Sequence, residues 1–517
     1  MSARAVYMDY HATTPVDPRV LESMLPWFNE RFGNPASRQH RFGWAAEEAV
    51  DRARTAIARA IGADAREIVF TSGATESNNL AIRGVAAAGS GGRDHLITVR
   101  TEHSSVLDVC SKLERQGFRL TVLAVDEHGL VDPRAVKDAM TDRTALVSVM
   151  LANNEIGTIQ PLAEIGKICR AGGVLLHTDA AQAVGKIPVD VGTLNVDLLS
   201  MSAHKVYGPK GTGCLYVRRG KPLVKLVSQM DGGGHEGGLR SGTLNVPGIV
   251  GCARALEIAV DEMKPESERL ARLRDGMFGR WKTDPGNVAL NGHPEYRLPN
   301  NLNVSFSGVD NTLLMMNMKD VAVSSGSACT TGKPEPSHVL SALGLPPDRV
   351  RTAIRFGLGR FTTEEDARFV ADRVAAEVTR LRASSLRGTR RPQGSGATGQ
   401  RTPTHTNAHQ YDRYHMTSSH LITDTGDFLG FLRTKFKFGL IHNSNFFFRD
   451  LHYGVMAYLA SKGRHAGYTR SEKIARELAA DLERAGILKK IDYQSWCVNY
   501  PEFALPRVEK TPAAAGA

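Results

Sequence analysis

The sequence predicts an α/β protein built on a mostly parallel sheet covered on both faces, followed by a smaller α+β region and a separate small helical module. Three observations carry this. Seven short apolar runs recur through the first half of the chain: "EIVF" (67–70), "HLITV" (95–99), "LTVLAV" (120–125), "ALVSVML" (145–151), "GVLLHT" (173–178), "VDLLSM" (196–201) and "GCLYV" (213–217). Helical stretches separate most of them, and unbroken apolar strands alternating with helices mark a sheet buried on both sides. Beyond about residue 260 the pattern changes, and beyond 384 the composition changes.

Each element follows from its residues. In "AAEEAVDRARTAIARAI" (45–61), Val50, Ala53, Ile57 and Ile61 fall on one face of a helix. After 260, a helical stretch leads to "NNLNVSF", "VAVSSGSAC" and "AIRFGLGRF", the strands of the smaller region. Residues 384–410 are dense in Gly, Ser, Thr, Pro and Arg and nearly free of large apolar side chains, so they read as a linker. Behind it, "FFFRDLHYGVMAYLASKG" and "RSEKIARELAADLERAGILKK" read as two amphipathic helices, and "IDYQSWCVNY" as a short hairpin. A chain of 517 residues exceeds one ordinary core, so two or three domains are expected.

Charge and cysteine content narrow the function classes. The net charge is +11, but residues 386–517 hold 19 Lys and Arg against 11 Asp and Glu, leaving the first 385 residues near neutrality. A nucleic-acid partner is therefore open only to the basic tail. Helix plus hairpin suits a winged-helix-like module there, and suits a helical protein-docking domain at least as well. No apolar run approaches the roughly 20 residues that span a bilayer, and "MSARAVYMDYHATTP" has no apolar signal region. No membrane association is expected. The six cysteines are scattered without ligand spacing, which fits a reducing, cytoplasmic setting and argues against an intrinsic metal site.

In such a sheet, chemistry gathers in loops at strand ends. "VFTSGATESNNLA" (69–81) runs from a strand through Ser-Gly-Ala-Thr into a helix, an arrangement that receives a phosphate, or an ordinary cap at Ser72 or Thr75. In "LLHTDAAQAVGK", Asp179 stands just past a strand with Gln182 three residues on; the carboxylate could solvate a protonated ring nitrogen or cap a helix. "DLLSMSAHKVYGPKGTG" follows another strand and places Ser202, His204 and Lys205 before a Gly-rich turn. A lysine at the mouth of a sheet can form a Schiff base with an aldehyde. Strand–Asp–x–x–Gln followed by strand–Ser–x–His–Lys makes joint sense around one pyridoxal ring. Finally, "VAVSSGSACTTGKPEP" carries a lone cysteine, Cys329, among small residues that cannot bury it.

These motifs, with "YMDYHATTPVDPRV", "FGNPASRQHRFGW", "TEHSSVLD", "LANNEIGTIQP", "RSGTLNVPGIVG" and "IRFGLGRFTTEE", resemble the cysteine desulfurases of the iron–sulfur-assembly class, which are class-V aminotransferases of fold-type I. The resemblance covers about residues 5–385. It implies a PLP-binding large domain at 16–260, a small domain from 1–15 and 261–385 carrying the cysteine loop, a linker at 386–418 and a basic module of unknown function at 419–517. It implies pyridoxal 5′-phosphate on Lys205, which would also remove the substrate Cα proton. His103 would stack on the ring and assist proton transfer, Asp179 would pair with the ring nitrogen, and Gln182 would contact the ring hydroxyl. Ala74, Thr75, Ser202, Ala203 and His204 would hold the phosphate, with Thr243 reaching the neighbouring subunit's cofactor in a homodimer. Asn34, Asn154 and Arg355 would contact the ring or the substrate carboxylate, although Arg355 also reads as a surface arginine. Cys329 would take sulfur from L-cysteine as a persulfide, leaving alanine, and could transiently ligate a cluster iron.

Two departures stand out. Ala203 replaces the usual Gly in "SAHK", and the tail lacks a recognisable scaffold-docking segment. The sulfur acceptor is thus open among a cluster scaffold, transfer-RNA thiolation enzymes and a partner of the tail. Selenocysteine lyase, and an idle scaffold or nucleic-acid-binding protein, are the alternatives.

Overall fold

A computed structural model describes residues 5–89, 91–220, 223–325, 336–389, 425–435, 445–462, 468–490 and 495–498. The chain divides into two compact units, residues 1–393 and 394–517.

All seven apolar runs are strands of one sheet: β1 (Ile68–Thr71), β2 (His95–Val99), β3 (Arg119–Leu123), β4 (Thr144–Ser148), β5 (Leu175–Asp179), β6 (Leu198–Ser202) and β7 (Gly213–Val217). Their order is β1-β7-β6-β5-β4-β2-β3. Only β7 runs antiparallel to its neighbours, β1 and β6. The strands β1, β2, β4, β6 and β7 are buried at every residue, as their unbroken apolar character demands, whereas the edge strand β3 is partly exposed.

Helices α1 (Arg41–Ala60), α2 (Ala74–Ala87), α3 (Ser104–Glu114) and α4 (Val246–Asp261) cover the sheet. On α1 the residues Ala46, Ala49, Val50, Ala53, Ile57 and Ala58 are buried, the face that the apolar spacing predicts. Because β1, β2, β5 and β6 share a direction, Thr71, Val99, Asp179 and Ser202 end at one edge of the sheet.

The smaller region pairs β8 (Val288–Asn291), β9 (Asn301–Phe306) and β10 (Ala353–Gly357) antiparallel in the order β10-β9-β8. Helices α5 (Met263–Thr283) and α6 (Glu364–Thr389) pack with it. Its core centres on Trp281, whose ring lies 5.4 Å from Phe306 and 4.7 Å from Phe356, and whose Nε1–H donates to the Ala371 carbonyl at 2.9 Å. The amino-terminal Val6–Tyr7 pairs in parallel with Val321–Ala322, and the Gly357 N–H donates to the Met8 carbonyl at 2.7 Å. Helix α6 continues to Thr389, six residues into the 384–410 stretch that composition marks as linker; residues 390–418 lie outside the described residues.

The second unit has helix α7 (Thr425–Lys435), strand β11 (Asn445–Phe447), helices α8 (Phe448–Ser461) and α9 (Tyr468–Arg484), and strands β12 (Leu488–Lys490) and β13 (Ser495–Val498). The strands pair antiparallel in the order β11-β13-β12. The last helical stretch ends earlier than its hydrophobic pattern suggests. Gly486 takes a positive φ of 72°, which stops the helix and turns "LKK" into the first strand of the hairpin. Phe428, Leu432, Leu451, Val455, Ile474, Leu478 and Leu488 form the core of this unit.

Candidate active site

The expected residues gather where β1, β2, β5 and β6 end. Lys205 closes a short turn of 3₁₀ helix (Ala203–Lys205) directly after β6, and its Nζ donates to the carbonyls of His11 at 2.6 Å and Ala12 at 2.8 Å. The ammonium is thus held against the "YHATT" segment, part of a motif of the resemblance to which sequence reasoning gave no role. Asp179 ends β5 and is buried; its Oδ1 accepts from the Ala181 N–H at 2.9 Å and its Oδ2 from Asn78 Nδ2 at 2.8 Å. Gln182 is also buried, and its Nε2 donates to the His11 carbonyl at 2.9 Å.

His103 caps α3 by accepting the Ser105 N–H on Nδ1 at 3.1 Å, and the Ser105 hydroxyl lies 2.8 Å from the same nitrogen. Asn78 Nδ2 reaches Ser105 Oγ at 2.9 Å as well as Asp179. A continuous chain therefore runs His103–Ser105–Asn78–Asp179. Because Nδ1 accepts, the neutral imidazole carries its hydrogen on Nε2, which leaves Nε2 as the nitrogen that can exchange a proton with a bound molecule. Burial pulls the His103 pKa down, against Asp179, while Lys205 and His338 lower it further. Asn78 and Ser105 were missed by sequence reasoning. The only signal is a polar pair, Ser77–Asn78, that is fully buried inside α2.

The loop before α2 offers free backbone donors that suit a phosphate. Gly73 precedes α2 at φ 146°, and no side chain caps that helix. The first-turn N–H groups, at Ala74, Thr75 and Glu76, lack helical acceptors by construction. A Cβ on Gly73 would have only Ser202 Oγ near it, at 3.5 Å, so the hydroxyl faces the loop. Gly213 allows this approach, since a Cβ there would stand 2.7 Å from Gly73 Cα. His204 meets Thr13 Oγ1 through Nδ1 at 3.1 Å, and burial brings its pKa down to about 4, so it is neutral at pH 7. The Ala203 N–H is already given to the Thr212 carbonyl, so Ala203 contributes its fully buried position rather than a donor. A lysine, a ring-nitrogen carboxylate, an uncapped helix N-terminus and a hydroxyl match the aldehyde, pyridine nitrogen and phosphate of pyridoxal 5′-phosphate.

Arg355 is not a surface arginine. It lies in β10, its side chain is 4% exposed, and it donates to the Asn154 carbonyl at 2.9 Å and to Asp9 Oδ1 at 2.7 Å. Its buried Nε has no partner among the described residues, a donor suited to a carboxylate. Asn34 is different: it is exposed in a turn, its Oδ1 accepting from the Ala36 N–H at 2.9 Å, with no bond to the Lys205 cluster among the described residues. Thr243 is exposed, with no bond to the site among the described residues.

Cys329 lies outside the described residues, within 326–335. Both flanks of that segment are tied to the site. Ser324 exchanges backbone bonds with Arg355, at 2.7 and 3.3 Å. On the other side, Ser337 Oγ donates to Glu155 Oε2 at 2.5 Å, and His338 Nε2 meets the Glu102 carbonyl, beside His103, at 2.9 Å.

Comparison with known proteins agrees with this architecture. The sequence matches the class-V aminotransferase family over residues 6–370. It is 56% identical to the cysteine desulfurase IscS of Anaeromyxobacter sp. (strain Fw109-5) over 380 residues, covering 74% of this chain and 94% of the relative. Identity to the cysteine desulfurase IscS of Rickettsia rickettsii (strain Iowa) is 52%, covering 74% and 92%. Among solved structures, a NifS-like protein superposes with a TM-score of 0.68 at 37% identity, covering 72% of this chain and 99% of that one. A structure described as SspA in complex with cysteine gives 0.62 at 39% identity, covering 69% and 100%. The chain belongs to the class-V aminotransferase family, whose cofactor is pyridoxal 5′-phosphate.

Proposed function

We propose that this class-V aminotransferase is an L-cysteine desulfurase, converting L-cysteine to L-alanine and leaving the sulfur as a persulfide on Cys329. The observation that carries this reading is the attachment of both flanks of the Cys329 segment to Arg355 and to the Glu102–His103 turn. The cofactor, when bound, supplies an electron sink for the substrate's α-carbon. The chain's residues do the rest. Lys205 holds the cofactor and takes the Cα proton; Asp179 pairs with the ring nitrogen; Gln182 contacts the ring hydroxyl; Ala74, Thr75, Ser202, Ala203 and His204 surround the phosphate. Arg355, with Asn154, receives the substrate carboxylate, and His103 exchanges a proton through Nε2. The balance is one thiol plus one cysteine giving one persulfide plus one alanine: the substrate C–S bond breaks, an S–S bond forms, and a proton goes to the carbon.

The acceptor of the sulfur is an iron–sulfur scaffold protein or a thiolation enzyme of transfer RNA. A homodimer is supported by Leu21, Leu25, Phe28, Phe32, Phe42 and Trp44, large apolar side chains that are 43–66% exposed near one another in sequence. Thr243 on the exposed 242–243 turn would serve the neighbouring subunit. Asn34, in its exposed turn, would act only within such an assembly. Cytoplasmic location fits Cys110, Cys169, Cys214 and Cys252, all buried free thiols. No described helix is long and apolar enough to cross a membrane.

The helix–strand–helix–helix–strand–strand order of the second unit supports a winged-helix-like module. Its helix α9 carries Arg470, Lys473, Arg476 and Arg484 against Glu472, Glu477, Asp481 and Glu483, a balance of charge along the helix that favours a protein partner over nucleic acid.

The test is an assay of the purified holoenzyme with L-cysteine and a thiol reductant. Equal yields of alanine and sulfide are expected, both lost in Cys329→Ser while the cofactor's visible absorbance persists. Alanine formed at the parental rate by Cys329→Ser would overturn the reading, and the same result with selenocysteine alone would favour a lyase.

A further inference from the structure

Two ion pairs fix the glycine-rich segment 231–243 beside the phosphate loop, and neither takes part in the mechanism above. The first is Glu236, whose side chain is 1% exposed. It receives both terminal nitrogens of Arg54 at 2.7 Å and the Phe70 N–H of β1, also at 2.7 Å. The second is Arg240, whose Nε donates to Glu76 Oε1 at 3.0 Å. Between the two pairs the chain turns through Gly237 and Gly238 at φ 64° and 82°, which glycine adopts without steric cost. The segment is thus tied both to the strand that enters the phosphate loop and to the helix that leaves it.

Glu76 is the third residue of α2, in the turn whose free N–H groups form the cradle. Its other oxygen, Oε2, accepts the Ser72 N–H at 2.8 Å. A carboxylate is therefore already seated at the helix N-terminus where a phosphate is to bind. The helix favours one anion there. A second anion at close range meets the first in a half-buried setting, where like charges repel with reduced screening. Burial raises the Glu76 pKa, and Arg240 together with the Ser72 N–H more than offsets it, so the carboxylate is ionised. Among the described residues Arg240 is the one cation paired with Glu76.

We propose that Arg240 is a positioning residue that neutralises Glu76, so that the first turn of α2 can accept a second anion, the phosphate of the cofactor. Glu76 keeps the loop in shape by holding the Ser72 N–H, and Arg240 cancels the charge that this brings. The inference rests on the reading of Ala74, Thr75 and Ser202 as the phosphate cradle.

The experiment equilibrates the full-length protein with pyridoxal 5′-phosphate and, separately, with pyridoxal, which lacks the phosphate, and reads bound ligand by its visible absorbance. Arg240→Met should weaken the phosphorylated ligand roughly tenfold and leave pyridoxal unchanged. Adding Glu76→Gln, which keeps an acceptor for the Ser72 N–H without the charge, should restore parental affinity. Arg240→Lys should stay within about threefold of the parent, because it keeps the charge but loses the planar fork. Unchanged affinity in Arg240→Met overturns the proposal, and so does an equal loss for pyridoxal. A double variant as weak as Arg240→Met also overturns it, since the arginine would then act on the phosphate or on the loop's shape directly. If Arg240→Met does not fold, Arg240→Gln is judged by the same criteria. Equal affinity of the parent protein for the two ligands would defeat the cradle reading itself, and this proposal with it.

Discussion

Replacing Asn78 tests whether the site is a connected polar network or a set of independent side chains. Its amide donates to Asp179 Oδ2 at 2.8 Å and to Ser105 Oγ at 2.9 Å, and the residue is fully buried. Asn78→Ala removes one hydrogen bond to a carboxylate, about 1.5–3 kcal/mol, and one to a neutral hydroxyl, about 0.5–1.5 kcal/mol. It also leaves Asp179 Oδ2 without that donor in a buried setting. A loss of about 2–4 kcal/mol in unfolding free energy follows, read as a lower urea midpoint at constant m-value. Catalysis should suffer separately, because Ser105 no longer has a fixed hydrogen to give to His103 Nδ1. Loss of about 1–2 kcal/mol of orientation lowers kcat roughly five- to thirtyfold, with little change in KM. Asn78→Asp is the sharper probe. It keeps the volume but faces Asp179 with a second carboxylate, so one of the two must take up a proton and the ring-nitrogen partner is compromised. The expected order of activity is parent, then Asn78→Ala, then Asn78→Asp. A loss below about 1 kcal/mol in Asn78→Ala, with parental kcat, would refute the network.

Three further outcomes follow from the same geometry. Arg355→Met should raise KM for L-cysteine roughly tenfold to a hundredfold while the cofactor band persists, because a charged donor to the carboxylate is lost; steady-state kinetics at several cysteine concentrations checks this. The protein should lose stability as pH falls from about 6.5 toward 4. His11, His95, His103, His177 and His204 all have depressed pKa values in the fold, His177 and His204 to about 4, so the unfolded chain binds protons that the native one does not. Burial raises Glu102 and Glu155 and opposes this loss, and denaturant melts across pH 4–7 should still show a net fall. Trp281→Ala should cost about 3–5 kcal/mol, seen as a lowered urea midpoint, since it empties the ring cluster with Phe306 and Phe356 and orphans the Ala371 carbonyl.

What was legible in the sequence was whatever a single strand or loop announces locally. Each apolar run became a strand because five or so consecutive apolar residues can be buried only between two covering layers. Asp179, Gln182, Ser202, His204 and Lys205 were legible because each directly follows such a run, and strand ends are where a parallel sheet opens. Residues that act across the fold left no such trace. Asn78 sits in α2 among the polar residues Thr75, Glu76, Ser77 and Asn79, and hydropathy alone would turn it to solvent. Its partners, Asp179 and Ser105, are 101 and 27 residues away.

Arg355 shows the same limit in reverse. As "AIRFG" it alternates like an edge strand with an outward arginine, and a surface role is the cheapest reading of that pattern. The structure buries it because Asp9, 346 residues earlier, and the Asn154 carbonyl satisfy its charge and two of its donor groups. A buried guanidinium costs several kcal/mol unless such partners exist, so the position of Arg355 depends on contacts assembled only once the amino-terminal segment has paired with Val321–Ala322. The segment carrying Asp9 also supplies His11 and Ala12, whose carbonyls receive Lys205. One short stretch at the start of the chain thus holds Lys205 and Arg355 in a common frame. That coupling explains why substitutions in residues 9–12 should perturb both sites together, although none of these residues has a side chain that sequence motifs mark as catalytic.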